Sequence, residues 1–148
     1  MKYTVIFSLI ILASSFVIAE SQPLKIGLSL PLSGPLAEYG TAVKNAFKMA
    51  EDDVGKGDSE LLYEDNKLDG KTAVGVYNLL AEVKKVDLIY LWGEPCLYAV
   101  SPLTSNKKIP VLTMSVDRRP AKNNPYVIRT VNPAGDFIKV VYEYIRVQ

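Results

Sequence analysis

Three short stretches of the sequence carry side chains that could bind a ligand. Tyr39 lies in a loop rich in glycine and proline, Glu94 to Leu97 contains a carboxylate and a thiol, and Ser115 to Arg118 contains a hydroxyl and two charges. Each stretch follows an apolar run of strand length. Arg118 could pair with a carboxylate in bidentate geometry. These residue types suit the binding of a small polar ligand.

The composition argues against catalysis at these positions. The sequence of 148 residues contains no histidine, which excludes Ser-His and Cys-His catalysis and removes the commonest ligand of transition metals. Cys96 is the single cysteine, so no internal disulfide can form. We predict no enzyme activity, no catalytic residue, no metal and no cofactor. A nucleotide-binding enzyme is the alternative, but the first loop offers only Gly34 and Gly40 and matches no phosphate-binding motif.

The charge balance argues against a nucleic-acid partner. Lysine and arginine number 17 against 16 acidic residues, a net charge of +1 without a basic block.

The first residues have the pattern of a secretory signal peptide. Lys2 precedes an apolar run from Val5 to Val17, and Val17 and Ala19 are the small residues expected before a cleavage site. We predict a signal peptide over residues 1–19, with a periplasmic or extracellular mature protein from residue 20 onward. An uncleaved membrane anchor is the alternative.

Alternating strands and helices must position the three stretches. Strands are predicted at 24–30, 60–64, 87–92, 109–114 and 126–131, and helices at 41–53, 72–85, from about 96 to 106, and 134–146. Pro102 is expected to kink the third helix or mark a restart. Short right-handed crossovers then give a doubly wound parallel α/β sheet with helices on both faces. The pattern stops inside a helix at Gln148 without a terminating residue, so we expect a truncated chain.

The carboxyl ends of parallel strands meet at one edge of such a sheet, and ligands bind in the crevice there. We therefore expect Tyr39, the Glu94 to Leu97 turn and the Ser115 to Arg118 turn to face one another.

Six segments, taken together, resemble the leucine/isoleucine/valine-binding type of periplasmic solute-binding protein. They are Lys-Ile-Gly-Leu-Ser-Leu-Pro-Leu-Ser-Gly-Pro-Leu-Ala-Glu-Tyr-Gly (25–40), Tyr-Glu-Asp-Asn-Lys-Leu-Asp (63–69), Ala-Val-Gly-Val-Tyr-Asn-Leu-Leu (73–80), Val-Asp-Leu-Ile-Tyr-Leu-Trp-Gly (86–93), Lys-Ile-Pro-Val-Leu (108–112) and Pro-Tyr-Val-Ile-Arg-Thr (125–130). The resemblance implies a receptor of two lobes that closes on an amino acid or related amide and delivers it to an ABC permease in the inner membrane. Residues 20–148 would then be most of the amino-terminal lobe, with the hinge and second lobe missing. A sensor ectodomain of a signalling receptor, which uses the same lobes, is the alternative function.

The resemblance also assigns ligand contacts one residue at a time. Tyr39 stands where the family places an aromatic ring against the ligand, although it could instead be an exposed tyrosine that caps a helix. Cys96 and Leu97 are nearest to a position where the family usually has a serine for the ligand carboxylate; Cys96 could equally be a buried core residue.

The loop after the fourth strand also departs from the family pattern. Ser115, Val116, Asp117 and Arg118 occupy it, and of these only Ser115 fits. Glu94, Asp117 and Arg118 therefore predict a more charged crevice, unless Asp117 and Arg118 belong to a solvated loop with weak local ion pairs.

Overall fold

The computed structural model describes residues 22–54 and 57–147; the predicted signal peptide, residues 1–19, lies outside them. Within the described residues, five parallel strands form one sheet in the order β2-β1-β3-β4-β5. The strands are Leu24–Leu30 (β1), Ser59–Asp65 (β2), Leu88–Leu91 (β3), Val111–Thr113 (β4) and Val127–Arg129 (β5). The predicted α/β fold is confirmed.

Four longer helices connect or follow these strands. They are Ala37–Val54 (α1), Gly70–Asn78 (α2), which continues as a π-helical segment over Leu79–Lys84, Glu94–Lys107 (α3) and Ala134–Val147 (α4); Arg119–Ala121 forms a short 3-10 turn. Across residues 22–54 and 57–147, none of these helices combines the length and apolar character that crossing a membrane requires.

Apolar side chains pack on both faces of the sheet. On one face, Val43 and Phe47 of α1 cover Leu28, Leu30 and Tyr90. On the other face, residues of α2 and α3 cover the alternate strand positions, with Ala73, Tyr77, Leu80, Ile89, Leu91, Leu97, Val100 and Val111 fully buried. Alternate residues of β3 point to opposite faces, which is the pattern of a strand covered by helices on both sides.

The element types match the prediction, but several details differ. Helix α1 begins at Ala37, four residues earlier than predicted, and α3 runs through Pro102 as a single helix without a restart. Val83 continues the apolar stripe of α2 (Ala73, Val76, Tyr77, Leu80) in the sequence and would be expected on its buried face, but it is 68% exposed. The wider turns of the π-helical segment change the angle between successive side chains, which explains this difference.

Helix α4 contains no buried residue. The helical spacing of its apolar residues predicts a buried face, yet the residues of that face, Phe137, Val140, Val141 and Tyr144, are all more than half exposed.

Candidate ligand-binding crevice

A crevice of about 380 Å³ opens at the carboxyl edge of the sheet. It is located where β1 and β3 lie side by side and their following helices, α1 and α3, go to opposite faces of the sheet. This reversal of strand order is the position at which open α/β sheets bind ligands. The residues that line the crevice are Leu36, Leu68, Trp92, Gly93, Glu94, Pro95, Thr113, Met114 and Ser115.

The buried amide of Asn66 holds the strand ends together beneath the crevice. Its Nδ2 donates to the backbone oxygens of Ser29 and Trp92, both at 3.0 Å, and lies 3.2 Å from Ser29 Oγ. Its Oδ1 accepts from the backbone N–H of Leu68 at 2.9 Å, and the side chain has no exposed surface. One side chain therefore joins the ends of β1 and β3 to the turn after β2.

Asp65 fixes the first loop at the same edge. Its carboxylate accepts from the backbone N–H of Leu32 at 2.9 Å, from Ser33 Oγ at 2.5 Å and from the backbone N–H of Lys67 at 2.9 Å. Burial raises the pKa of Asp65, but these hydrogen bonds favour the charged form and bring the pKa below its ordinary value. The ionised carboxylate thus joins the loop after β1 to the loop after β2.

The backbone at Gly93 requires glycine. Its φ is +115°, and a Cβ added there would approach Leu68 Cδ1 to 2.5 Å. Because Gly93 has no side chain, the backbone between β3 and α3 can pass close to Leu68 in the wall of the crevice.

The aromatic ring in the wall of the crevice belongs to Trp92 and stacks on a neighbouring tyrosine. The rings of Tyr39 and Trp92 stack with centroids 6.2 Å apart and an angle of 19° between their planes. Trp92 lines the crevice, whereas Tyr39 lies at its rim with 59% of its surface exposed.

The side chains of Glu94 and Ser115 are in contact in the crevice, where the segments that follow β3 and β4 lie close together. Ser115 Oγ lies 2.8 Å from Oε1 and 2.9 Å from Oε2 of Glu94. Oε1 also accepts from the backbone N–H of Val116 at 3.1 Å and, more weakly, from that of Asp117 at 3.4 Å. The donors of the loop after β4 are thereby directed at a carboxylate from the first residue of α3.

The other charged side chains of the loop after β4 form ion pairs beside the crevice. Asp117 accepts from Arg119 and Tyr98, and these hydrogen bonds, that from Arg119 foremost, hold the pKa of Asp117 well below its usual range. Arg118 binds both oxygens of Asp136, at 2.7 and 2.9 Å. Val116, Asp117 and Arg118 line a separate depression of about 480 Å³ together with Pro133 and its neighbours.

Cys96 and Leu97 lie in the core beneath the crevice. Neither has exposed surface, and burial raises the pKa of the Cys96 thiol to about 11. Their side chains pack against the sheet and do not line the crevice. The described part of the chain also contains no group of three or more acidic, cysteine or histidine side chains that could hold a metal ion.

The sequence model of the periplasmic binding protein family matches residues 23–147, which is most of the chain. The chain belongs to the periplasmic binding protein family. No curated protein matches the sequence.

Solved structures of solute-binding proteins share the fold. An ABC transporter substrate-binding protein from Sphaerobacter thermophilus is 27% identical, with a TM-score of 0.65 over 72% of this chain and 32% of that chain. A solute-binding protein of an ABC transporter from Rhodopseudomonas palustris BisB5, in complex with 3,4-dihydroxybenzoic acid, is 24% identical, with a TM-score of 0.68 over 76% and 33% of the two chains.

A third structure is the branched-chain amino acid transporter substrate-binding protein LivJ from Streptococcus pneumoniae, in complex with isoleucine. It is 22% identical, with a TM-score of 0.68 over 75% of this chain and 34% of that chain. The present chain thus spans about a third of the length of these solute-binding proteins.

The structure brings together part of the predicted set for this family member. Glu94 and Ser115 line one crevice and Tyr39 lies at its rim, whereas the other predicted residues are either buried or in the neighbouring depression. Sequence reasoning missed the apolar lining, which comprises Leu36, Leu68, Trp92 and Met114. Trp92 and Met114 immediately follow β3 and β4, so their position at strand ends is the signal that could have identified them.

Proposed function

We propose that this chain is the amino-terminal lobe of an extracytoplasmic solute-binding protein that delivers a small ligand to an ABC permease in the inner membrane. The observation that carries the proposal is the crevice at the reversal of strand order, with its aromatic and apolar walls and few polar groups. Its volume of about 380 Å³ is in the range of sites for small organic molecules. The matching family and the predicted signal peptide support an exported binding protein.

The ligand class follows from the same features. The walls include Trp92, Leu36 and Met114, while Glu94 and Ser115 supply polar contacts. Such a site suits a solute with an apolar body and a polar head. The structural relatives crystallised with isoleucine and with 3,4-dihydroxybenzoic acid have ligands of this general form. We therefore propose an amino acid or a related amide as the solute.

Ligand titration followed by nuclear magnetic resonance tests the proposal. The sequence contains one tryptophan, Trp92, so the single indole N–H signal reports directly on the crevice. Amino acids, amides and aromatic acids are added separately to the 15N-labelled protein. We expect a saturable shift of the indole signal with at least one of them, while the signal of Gly57, before β2 at the opposite edge of the sheet, stays in place.

The expected affinity is weak, because two-lobed receptors close on the ligand and each lobe supplies part of the contact surface. A micromolar ligand corresponds to about 8 kcal/mol of binding free energy, and half of that corresponds to a dissociation constant of about 1 mM. Absence of any shift across the whole panel would contradict the proposed function. Micromolar binding to the 148-residue chain would instead show that this crevice is a complete binding site.

A further inference from the structure

The loop after β4 offers its hydrogen-bond donors to a side chain of the protein itself. Ser115 Oγ and the backbone N–H of Val116 donate to the carboxylate of Glu94, and the N–H of Asp117 is shared between Ser115 Oγ at 3.2 Å and that carboxylate at 3.4 Å. Without that carboxylate, a hydroxyl and two adjacent N–H groups would form a small site for an anion. With Glu94 in place, a ligand carboxylate that approached this loop would find its donors engaged and would meet a negative charge.

Three arginines near the crevice are engaged with other groups. Arg129 donates to the backbone oxygens of Ser115 and Val131, both at 3.4 Å. Arg118 binds Asp136 through both carboxylate oxygens, and Arg119 binds Asp117 in the same loop. Across residues 22–54 and 57–147, no ion pair involves Glu94. Arg119 also attracts Glu94 electrostatically, but Asp117 holds its guanidinium, so the Glu94 carboxylate has no cation of its own in this part of the chain.

The surroundings strengthen the attraction of Glu94 for a cation. It is the only ionisable side chain among the described residues that line the crevice, and it is half-buried beside the apolar side chains of Leu68 and Met114. Coulomb attraction grows as water is replaced by apolar groups. The ring of Trp92 in the same wall can add a cation–π contact to a nitrogen cation.

We propose that the ligand of this crevice presents a cationic nitrogen to Glu94, so that the site selects small organic amines over carboxylates of the same shape. The inference rests on the proposed function and narrows its solute class: of the amino acids and amides proposed there, it favours those that also carry a cationic nitrogen. An amino acid would have to enter with its ammonium group toward Glu94 and its carboxylate directed away from the loop after β4.

Ligands matched in shape and differing in charge test the inference. One series is isopentylamine, isovaleramide and isovalerate, and the other is benzylamine, benzamide and benzoate. Each compound is titrated into the full chain while the indole signal of Trp92 is followed. We expect the amine of each series to bind about 10-fold or more tightly than the carboxylate, with the amide between them.

Glu94→Gln keeps the shape of the side chain and removes its charge. We expect the preference for amine over carboxylate to fall to about 3-fold or less in this variant. Glu60→Gln is the matched control, because Glu60 is an exposed residue near the amino end of β2 and far from the crevice. It changes the net charge equally and should leave the preference unaltered.

The outcomes separate the two proposals. Tighter binding of the carboxylates to the unmodified protein, or an unchanged preference in folded Glu94→Gln, overturns the inference and leaves the proposed function standing. No shift with either series or with the earlier panel overturns both. If Glu94→Gln does not fold, the charge series with the unmodified protein decides the matter alone.

Discussion

Replacing Asn66 with aspartate changes one NH₂ group to an oxygen at the point where three strand ends meet. The amide nitrogen of Asn66 donates to the backbone oxygens of Ser29 and Trp92, both at 3.0 Å, in a site with no solvent exposure. In Asn66→Asp, the oxygen of Trp92 loses this donor, the oxygen of Ser29 keeps only the backbone N–H of Trp92 at 3.0 Å, and both face a carboxylate of the same size. Each unsatisfied buried polar group costs about 1–3 kcal/mol, and an unpaired buried charge costs about 3–5 kcal/mol.

We therefore expect Asn66→Asp to lower the free energy of unfolding by about 3–5 kcal/mol at pH 7. That is a large part of the roughly 5–15 kcal/mol available to a typical domain. Burial raises the pKa of an unpaired carboxyl, so the introduced group is protonated in the folded state as the pH falls. The loss of stability should be complete at neutral pH and should shrink below the raised folded-state pKa, because a neutral carboxyl can donate one hydrogen bond.

Urea denaturation at neutral and acidic pH measures both effects, with circular dichroism and the fluorescence of the single tryptophan as probes. Asn45→Asp is the matched control, since it makes the same chemical change on the exposed side of α1 and should alter stability by less than about 0.5 kcal/mol. A loss below about 1 kcal/mol in Asn66→Asp at pH 7 would refute the reasoning, because the buried amide would then not be needed to hold the strand ends.

Three further predictions concern the same edge of the sheet. Asp65→Asn should lower the free energy of unfolding by about 1–2 kcal/mol at pH 7. The pKa of Asp65 is lowered in the folded state, so its contribution to stability is lost when the carboxylate is protonated. Urea titrations should therefore show the difference in stability from the unmodified protein narrowing below about pH 4. The Cys96 thiol, with its pKa raised to about 11, should resist Ellman's reagent at pH 8 until denaturant is added; rapid reaction of the native protein would contradict its burial. In a complete receptor built from this lobe, where Tyr39 would be buried against the ligand, Tyr39→Ala should weaken binding by about 1–3 kcal/mol in titrations. An unchanged dissociation constant would make Tyr39 an ordinary exposed tyrosine.

The order and type of the elements could be predicted from the sequence because they depend on local patterns. β1 was predicted with its observed bounds, Leu24–Leu30, since an apolar strand buried on both faces ends visibly at Pro31. The alternation of strands and helices then left few topologies other than the parallel sheet, because connections between parallel strands are short and right-handed.

Local patterns were less informative where packing decides exposure. Val83 and Ala50 continue apolar stripes in the sequence, yet both are exposed in the structure. The π-helical segment changes the direction in which the Val83 side chain points, and the 3.6-residue period of a regular helix does not predict such a change.

The sequence alone determined that the loops after β1, β3 and β4 share one edge of the sheet, because parallel strands align their carboxyl ends. Only the tertiary structure decided which side chains meet there. The Glu94 carboxylate reaches Ser115 across two separate loops, and the Asn66 amide reaches Ser29 and Trp92 on two different strands. Such hydrogen bonds join residues more than 20 positions apart and depend on distances of a few ångströms that strand register and helix packing set together.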